Sequence, residues 1–302
     1  MMLVTGGSGF IGLGVCEALR QRGMEHRAAS RGPSEGCVMV GEVDEHTDWS
    51  AALAGVTSVI HLAGLAHQAS PVPPIEDFRR TNVEGSIRLV KQAAEAGANR
   101  IVFASSIGVL GQTTKDEAFT EASPPSPRNS YALSKYEAEL ALTKLCGELK
   151  LELVIVRPPL VYGPGAKGNF GKLERLATSG LPLPFGSVRN RRNIISRGNL
   201  SDALVTCAVH PLAANETFVV AEKQPASTAE IITAIARARG RKPRLFSFPP
   251  SFLAWAFRSL GHISTAEGLL SSLEIDSSKI AAKLNWHPSG HTLENIQLEL
   301  RT

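Results

Sequence analysis

Tyr131 and Lys135 stand four residues apart in Ser130-Tyr131-Ala132-Leu133-Ser134-Lys135, and on a helix that spacing puts both on one face. A phenol titrates near ~10 and is a poor acid–base group at neutral pH. A neighbouring ammonium favours the phenolate and is expected to draw that value down toward the working range. By itself the pair is common, and an exposed helix pair is the plain alternative. Ser105-Ser106 follows a short apolar run and ends 25 residues before Tyr131. That is the carboxyl edge of a strand, where open α/β sheets bind ligands.

A second cluster lies at the start of the chain. Thr5-Gly6-Gly7-Ser8-Gly9-Phe10-Ile11-Gly12 satisfies both G-x-G-x-x-G (Gly7, Gly9, Gly12) and G-x-x-G-x-x-G (Gly6, Gly9, Gly12). Glycines there allow a tight turn, a close backbone approach to a pyrophosphate and close packing of helix on strand. The helix that follows offers unpaired N–H groups and a partial positive charge to a diphosphate. Between a strand and a helix the pattern reads as a dinucleotide site rather than a structural turn. About 20 residues further on, NAD-binding folds place an acid on the ribose 2′-hydroxyl. Here the second strand ends Ala28-Ala29-Ser30-Arg31-Gly32, with an arginine and no carboxylate. Arginine can pair with a 2′-phosphate, so NADPH is expected over NAD; a solvated loop arginine is the alternative.

These groups need a scaffold that brings strand ends together, and the chain has the rhythm of one. Leu3-Val4, Arg27-Ala28-Ala29, Val38-Met39-Val40, Val59-Ile60-His61-Leu62, Ile101-Val102-Phe103 and Leu153-Val154-Ile155-Val156 read as buried strands. Helical patterns run from Phe10 to Arg22, Trp49 to Leu53, Ile75 to Ala96 and Tyr131 to Leu149. Strands alternating with helices predict an α/β fold: a Rossmann-type, doubly wound parallel sheet covered on both faces. After Arg157-Pro158-Pro159 the rhythm breaks into glycine–proline turns, and helical patterns return at Thr228 to Arg239, Ser251 to Leu260 and Ser277 to Leu284. The expected organisation is a nucleotide-binding domain over residues 1–165 and a smaller, irregular C-terminal substrate lobe over 166–302, with some exchange of chain between them. The Pro-rich patches Pro71-Val72-Pro73-Pro74 and Ser123-Pro124-Pro125-Ser126-Pro127 read as loops.

Composition narrows the class. The 302 residues are 43% hydrophobic and 20% charged, which excludes disordered and collagen-like chains. The excess of 32 Lys+Arg over 28 Asp+Glu is small and scattered, so neither nucleic-acid binding nor a membrane partner is expected, though it suits an anionic small substrate. Cys16, Cys37, Cys146 and Cys207 form no C-x-x-C pair, which argues against a disulfide framework or zinc site. His287 and His291 are four apart, but Pro288 and Gly290 between them disfavour a helix, and no metal is expected. Leu245 to Leu260 is broken by Pro249-Pro250 and falls short of the ~20 apolar residues that span a bilayer. With no signal-like segment at the start, a cytoplasmic enzyme is the expectation.

Taken together, the motifs resemble the extended short-chain dehydrogenase/reductases that act on nucleotide sugars, the epimerase–dehydratase–reductase group. The resemblance rests on the glycine loop, Val59-Ile60-His61-Leu62-Ala63-Gly64, Asn82-Val83-Glu84-Gly85 and Ser105-Ser106 with Val109-Leu110-Gly111. It extends through Tyr131-Ala132-Leu133-Ser134-Lys135 and Arg157-Pro158-Pro159-Leu160-Val161-Tyr162-Gly163-Pro164. It implies that Ser106 holds the reacting oxygen, Tyr131 transfers its proton and Lys135 binds the nicotinamide ribose. Gly6, Gly9, Phe10, Ile11, Gly12 and Arg31 would hold the rest of NAD(P), with Leu62, Ala63, Gly64 and Pro158 along the cofactor channel. Asn82 would support the active-site strand, a helix cap being the compatible alternative, and His61 is assigned to the core. Asn169 and Arg192 are the implied contacts to a nucleotide-diphosphate sugar, Arg192 from the cluster Arg189, Arg191, Arg192 and Arg197.

Within that group, Ile107 and Gly108 after Ser106 cannot move protons, which disfavours a 4,6-dehydratase, and no cysteine near Ser106 supports a 3,5-epimerase–reductase. A 4-epimerase with tightly bound NAD and a 4-keto reductase remain. Arg31 favours the reductase, and the run Arg157 to Gly186 looks like bacterial 4-reductases that form UDP-N-acetylquinovosamine from a 4-keto-6-deoxy hexose. A non-catalytic dinucleotide- or RNA-binding relative is disfavoured because the tyrosine and lysine are both present. The lipid or nucleotide carrier of the sugar stays open, as does assembly into a homodimer.

Overall fold

Leu3-Val4, Val59-Ile60, Ile101-Val102 and Leu153-Val154 are apolar pairs with nothing polar to turn toward water, so each must be covered on both sides. In the computed structural model, which describes residues 1–66 and 73–301, they form the middle of a parallel sheet. Its strands are β1 (Met2–Thr5), β2 (His26–Ser30), β3 (Cys37–Met39), β4 (Ser58–His61), β5 (Arg100–Ala104), β6 (Glu152–Arg157) and β9 (Thr217–Val219). The order is β3-β2-β1-β4-β5-β6-β9, all parallel. Alternate residues divide between two cores. Leu3, Val59, Ile101 and Leu153 pack with Leu89, Val90 and Leu142 on one face. Val4, Ile60, Val102 and Val154 pack with Val15, Leu19, Leu200 and Leu204 on the other. Burying each such side chain stabilises the fold by about 1.5–3 kcal/mol.

The helices follow the expected order. α1 (Phe10–Gln21), α2 (Ser50–Leu53), α3 (Ile75–Arg79), α4 (Gly85–Glu95) and α5 (Ser130–Leu149) lie between the strands. The helix expected from Ile75 to Ala96 is one rod with a fault: Arg80–Glu84 is a π turn. Such turns carry an extra residue that redirects side chains. Ser123 to Pro127 lies outside helix and strand, as expected of a loop, whereas Pro71 and Val72 of the other Pro-rich patch lie outside the described residues.

Beyond residue 165 the chain holds more regular structure than its glycines and prolines suggest. α6 (Gly168–Thr178), α7 (Arg197–Val209) and the sheet strand β9 fall where the sequence predicts neither helix nor strand, and a two-stranded ribbon pairs β7 (Val161–Tyr162) with β8 (Ile195–Ser196). Within α6, a Cβ on Gly171 would stand 2.8 Å from the Ala166 carbonyl oxygen, so close packing requires the glycine. α7 shows no amphipathic stripe because it is buried around most of its circumference, including Asn199, Leu200, Ala203, Leu204, Val205, Cys207 and Ala208. It packs against α1, so a segment from the second half of the chain covers the nucleotide-binding sheet. α8 (Thr228–Ala238), α9 (Pro250–Ser259), α10 (Ile263–Leu270), α11 (Ser278–Leu284) and α12 (Thr292–Leu300) complete the chain. A third core of Tyr162, Phe170, Ile194, Ile231, Ile235, Leu253 and Ile296 unites α6, α8, α9 and α12.

Candidate active site

The chain reverses its winding between β1 and β4, and the crevice at their carboxyl ends is where a doubly wound sheet accepts a ligand. The glycine loop rims it. Gly6 has φ +66°, and Gly9 donates its N–H back to the Gly6 carbonyl at 2.9 Å. A Cβ on Gly12 would stand 2.1 Å from the Gly6 oxygen, and one on Gly7 would stand 2.6 Å from the Ala28 Cβ. Gly9, the N-cap of α1, makes no side-chain cap, which leaves the first-turn amides of Phe10, Ile11 and Gly12 to an anion. This cradle fits the diphosphate of a dinucleotide.

Thr5 and His61 end the two strands at the crevice and face each other in register. Thr5 Oγ1 accepts from the amides of Leu62 and Ala63, each at 3.1 Å, and donates to His61 Nδ1 at 2.7 Å. His61 Nε2 donates to Ser86 Oγ at 2.8 Å, which donates to the Asn82 carbonyl at 2.7 Å. Burial pushes His61 down to about 3, so it stays neutral, and the chain of donors is satisfied from end to end. His61 is thus a buried tie, and its pattern, a polar residue inside an apolar run, was the only signal in the sequence.

Asn82 sits in the π turn, 1% exposed. Its Oδ1 accepts from the Leu65 amide at 2.7 Å, and its Nδ2 donates to the Leu65 carbonyl at 3.1 Å and to Ser134 Oγ at 2.9 Å. It therefore clamps the loop after Leu62, Ala63 and Gly64 to the helix that carries Tyr131 and Lys135. Gly64 is the close-approach residue, since a Cβ there would stand 2.9 Å from Asn82 Oδ1.

The strand β5 and the helix α5 bring the candidate reacting groups together. Asn129 caps α5 by accepting from Ala132 N at 2.8 Å, which sets Tyr131 in its first turn. Ser106 caps the short turn Ile107–Val109, accepting from Gly108 N at 3.1 Å, and the Ile107 amide is anchored on the Pro158 carbonyl at 2.9 Å. Ser106 faces the Tyr131 phenol, and this contact pulls the phenol's titration down while burial, the larger effect, pushes it up to about 12. Ser105 is instead buried, its hydroxyl without a hydrogen-bond partner among the described residues. The expected lowering of Tyr131 by Lys135 is absent here, because burial dominates and the lysine is itself perturbed. Lys135 is 5% exposed, its Nζ 3.9 Å from the Phe103 ring centroid. Burial lowers it to about 7, against the attraction of Glu139, which holds it up. Glu139 is gripped by Arg157 at the end of β6 through two hydrogen bonds of 2.9 and 2.6 Å. That buried pair went unread in the sequence, although Glu139 stands four residues beyond Lys135 on the same helix face.

The remaining candidates lie further out. Arg31 is exposed at the end of β2, and its guanidinium stands 3.6 Å from Glu42, a carboxylate that the spacing beyond the glycine loop did not anticipate. Asn169 is exposed in the first turn of α6. Arg192 is half-buried and donates to the Ser271 carbonyl at 2.7 Å; it has no ion-pair partner among the described residues, and burial lowers it to about 10. Its neighbours divide: Arg191 pairs with Glu274 at 2.7 Å, and Arg197 lies over the Phe10 ring. A cleft of about 450 Å³ between α1 and α7 is lined by Arg197 of the arginine cluster and by His287, but not by Ser106, Tyr131, Lys135, Asn169 or Arg192.

The profile of the NAD dependent epimerase/dehydratase family matches residues 2–221, from β1 through β9. The chain belongs to this family. It is therefore an NAD(P)-dependent enzyme, as the glycine cradle implies. A UDP-glucose 4-epimerase of Vibrio cholerae is 35% identical over 300 residues, covering 95% of this chain and 90% of the relative. An N-acetyl-alpha-D-glucosaminyl-diphospho-ditrans,octacis-undecaprenol 4-epimerase of Escherichia coli O157:H7 is 23% identical, covering 91% of this chain and 84% of its own. Among solved structures, the UDP-glucose 4-epimerase of Thermus thermophilus in complex with NAD superposes with TM-score 0.78 at 25% identity, over 99% of this chain and 97% of that one. Among the described residues, no helix of this family member is long and apolar enough to cross a membrane.

Proposed function

We propose that the enzyme interconverts the alcohol and the ketone at C4 of a nucleoside-diphosphate hexose, and that its net reaction is C4 epimerisation. The observation that carries the chemistry is the contact of Ser106 with the Tyr131 phenol, with Lys135 buried one helical turn further along α5. The full-length similarity to the Vibrio cholerae 4-epimerase supports the net outcome. Bound NAD(P) supplies the acceptor and donor of the C4 hydride.

Within the chain, Tyr131 takes the C4 hydroxyl proton as its phenolate, the form that the Ser106 contact favours against the burial that raises the phenol, and returns the proton to the carbonyl oxygen on reduction. Ser106 holds that oxygen in line with the phenol. Lys135, beneath Phe103 and tethered electrostatically to Glu139, keeps a positive charge near the phenol when protonated. Arg192, which lacks a carboxylate partner among the described residues, anchors the diphosphate; Asn169 borders the nucleotide. Epimerisation requires the hexose to present both faces to one hydride donor, so the sugar must turn while Arg192 keeps its anchor.

A second reading, the NADPH-dependent 4-keto reductase, is favoured by Arg31 at the ribose edge. Glu42 beside it weakens that argument, because a carboxylate there can accept from the ribose hydroxyls of NAD. The deciding experiment is to denature the purified protein and identify the released nucleotide by mass spectrometry. Retained NAD supports the epimerase; an empty site that fills selectively with NADP supports the reductase.

A further inference from the structure

Charge is scattered when the chain is taken as a whole, but not between Arg237 and Ile263. That segment carries Arg237, Arg239, Arg241, Lys242, Arg244 and Arg258 and not one Asp or Glu. Arg239 pairs with Glu174, whereas Arg241, Lys242 and Arg258 are exposed and have no ion-pair partner among the described residues. The same segment holds five of the 14 Phe and Trp residues of the chain, all between Phe246 and Phe257.

A soluble fold would turn those rings inward. Here Leu253 alone of α9 is buried, while Phe252 is 61% and Trp255 68% exposed. The two are three residues apart and share the outer face of the helix. Phe248 stacks edge-on against both Phe246 and Phe252, with centroids 6.5 and 6.4 Å apart, so the rings form a continuous ridge. Leu260 and Ile263, 72% and 53% exposed, extend it into the start of α10. An exposed aromatic ridge on a basic, acid-free segment has a defined physical partner. Trp and Phe settle at the boundary between headgroups and acyl chains, and arginine and lysine are drawn to anionic headgroups.

We infer that α9 and its flanking loop form a peripheral docking surface for an anionic phospholipid bilayer. The charge argues for lipid over a second copy of this chain, because a two-fold contact through this face would set its unpaired cations against themselves. Docking would also bring the substrate end of the site close to the headgroups. Arg192 donates to the Ser271 carbonyl at 2.7 Å, directly after α10, and α10 packs on α9.

The chain carries its own probe. Trp49 and Trp286 are buried at 0% and 4%, so Trp255 is the one tryptophan whose surroundings would change on docking. The experiment adds vesicles of phosphatidylcholine, alone or mixed equally with phosphatidylglycerol, and reads tryptophan emission together with co-sedimentation. Expected are a blue shift and sedimentation with the anionic vesicles only, both reversed by salt. Arg241→Glu with Lys242→Glu should weaken partitioning roughly tenfold or more. Phe252→Ser with Trp255→Ser should abolish sedimentation without changing turnover of a soluble substrate. No response to anionic vesicles in the folded protein would overturn the inference. So would a wild-type dimer that Trp255→Glu converts to monomer, since a second copy would then cover the ridge.

Discussion

Asn82 Nδ2 donates to Ser134 Oγ across 2.9 Å, joining the π turn to the first turns of the helix that bears Tyr131 and Lys135. The same side chain makes two further hydrogen bonds to the backbone of Leu65. Replacing Asn82 by Ala leaves the half-buried Leu65 amide and carbonyl without this partner, while Ser134 Oγ keeps its bond to the Tyr131 carbonyl. We expect a loss of about 1–3 kcal/mol in unfolding free energy. Turnover should fall further than that loss explains, because the helix and the cofactor loop lose their register. Urea unfolding and steady-state kinetics on the folded variant check both; unchanged kcat would leave Asn82 a purely structural clamp, and its place inside the π turn already excludes a helix cap.

Lys135 ties stability to pH in a definite direction. Its value of about 7 in the folded protein lies below the ordinary 10.5, so between those limits the unfolded chain binds more protons. Stability contributed by this group therefore rises with pH across that window and is flat below it. Lys135→Met should flatten the rise. Glu139→Gln removes the attraction that holds Lys135 up, so the rise should begin at lower pH. Thermal melts of the three proteins across the window are the check, and identical slopes in wild type and Lys135→Met would contradict the assignment.

Arg192 donates to backbone carbonyls and meets no carboxylate among the described residues, an arrangement that leaves guanidinium charge for an anionic ligand. Arg192→Ala should raise KM for the nucleotide sugar about tenfold or somewhat more, equivalent to losing a charge-assisted contact of roughly 1.5–3 kcal/mol. Cofactor affinity should hold. A fall in cofactor affinity with unchanged KM would place the arginine at the wrong ligand.

At the ribose edge, Arg31 and Glu42 pull toward opposite cofactors. If the arginine contacts a 2′-phosphate, Arg31→Ala should weaken NADPH by roughly 1–3 kcal/mol and leave NADH almost untouched. Epimerase chemistry with NAD instead predicts that the parent binds NADH at least as tightly as NADPH, and that Glu42→Gln weakens NADH. Dissociation constants for both cofactors on the three proteins separate the two readings.

The sheet was legible because Leu3-Val4, Val59-Ile60 and Ile101-Val102 are too apolar to face water, and the glycine loop because its spacing has few other uses. Tyr131, Lys135 and Ser106 were legible as residue types with spacing. What joins them was not. Glu139 and Arg157 are 18 residues apart in the chain and meet only once β6 lies beside α5. Glu42 reaches Arg31 only because β3 pairs with β2. α7 was hidden because burial on most sides erases the polar stripe by which a helix is read. The effect of burial on Tyr131 also escaped, since a sequence shows a neighbouring charge but not the loss of water around the phenol.

The most direct test follows C4 of a UDP-hexose by proton NMR in the presence of wild-type enzyme or Tyr131→Phe, with NAD and with absorbance at the reduced-nicotinamide band recorded in parallel. Inversion at C4 is expected with no net change in absorbance, and turnover at least about 10²-fold lower in a folded, cofactor-binding Tyr131→Phe protein. Inversion that proceeds at the wild-type rate without the phenol would contradict it.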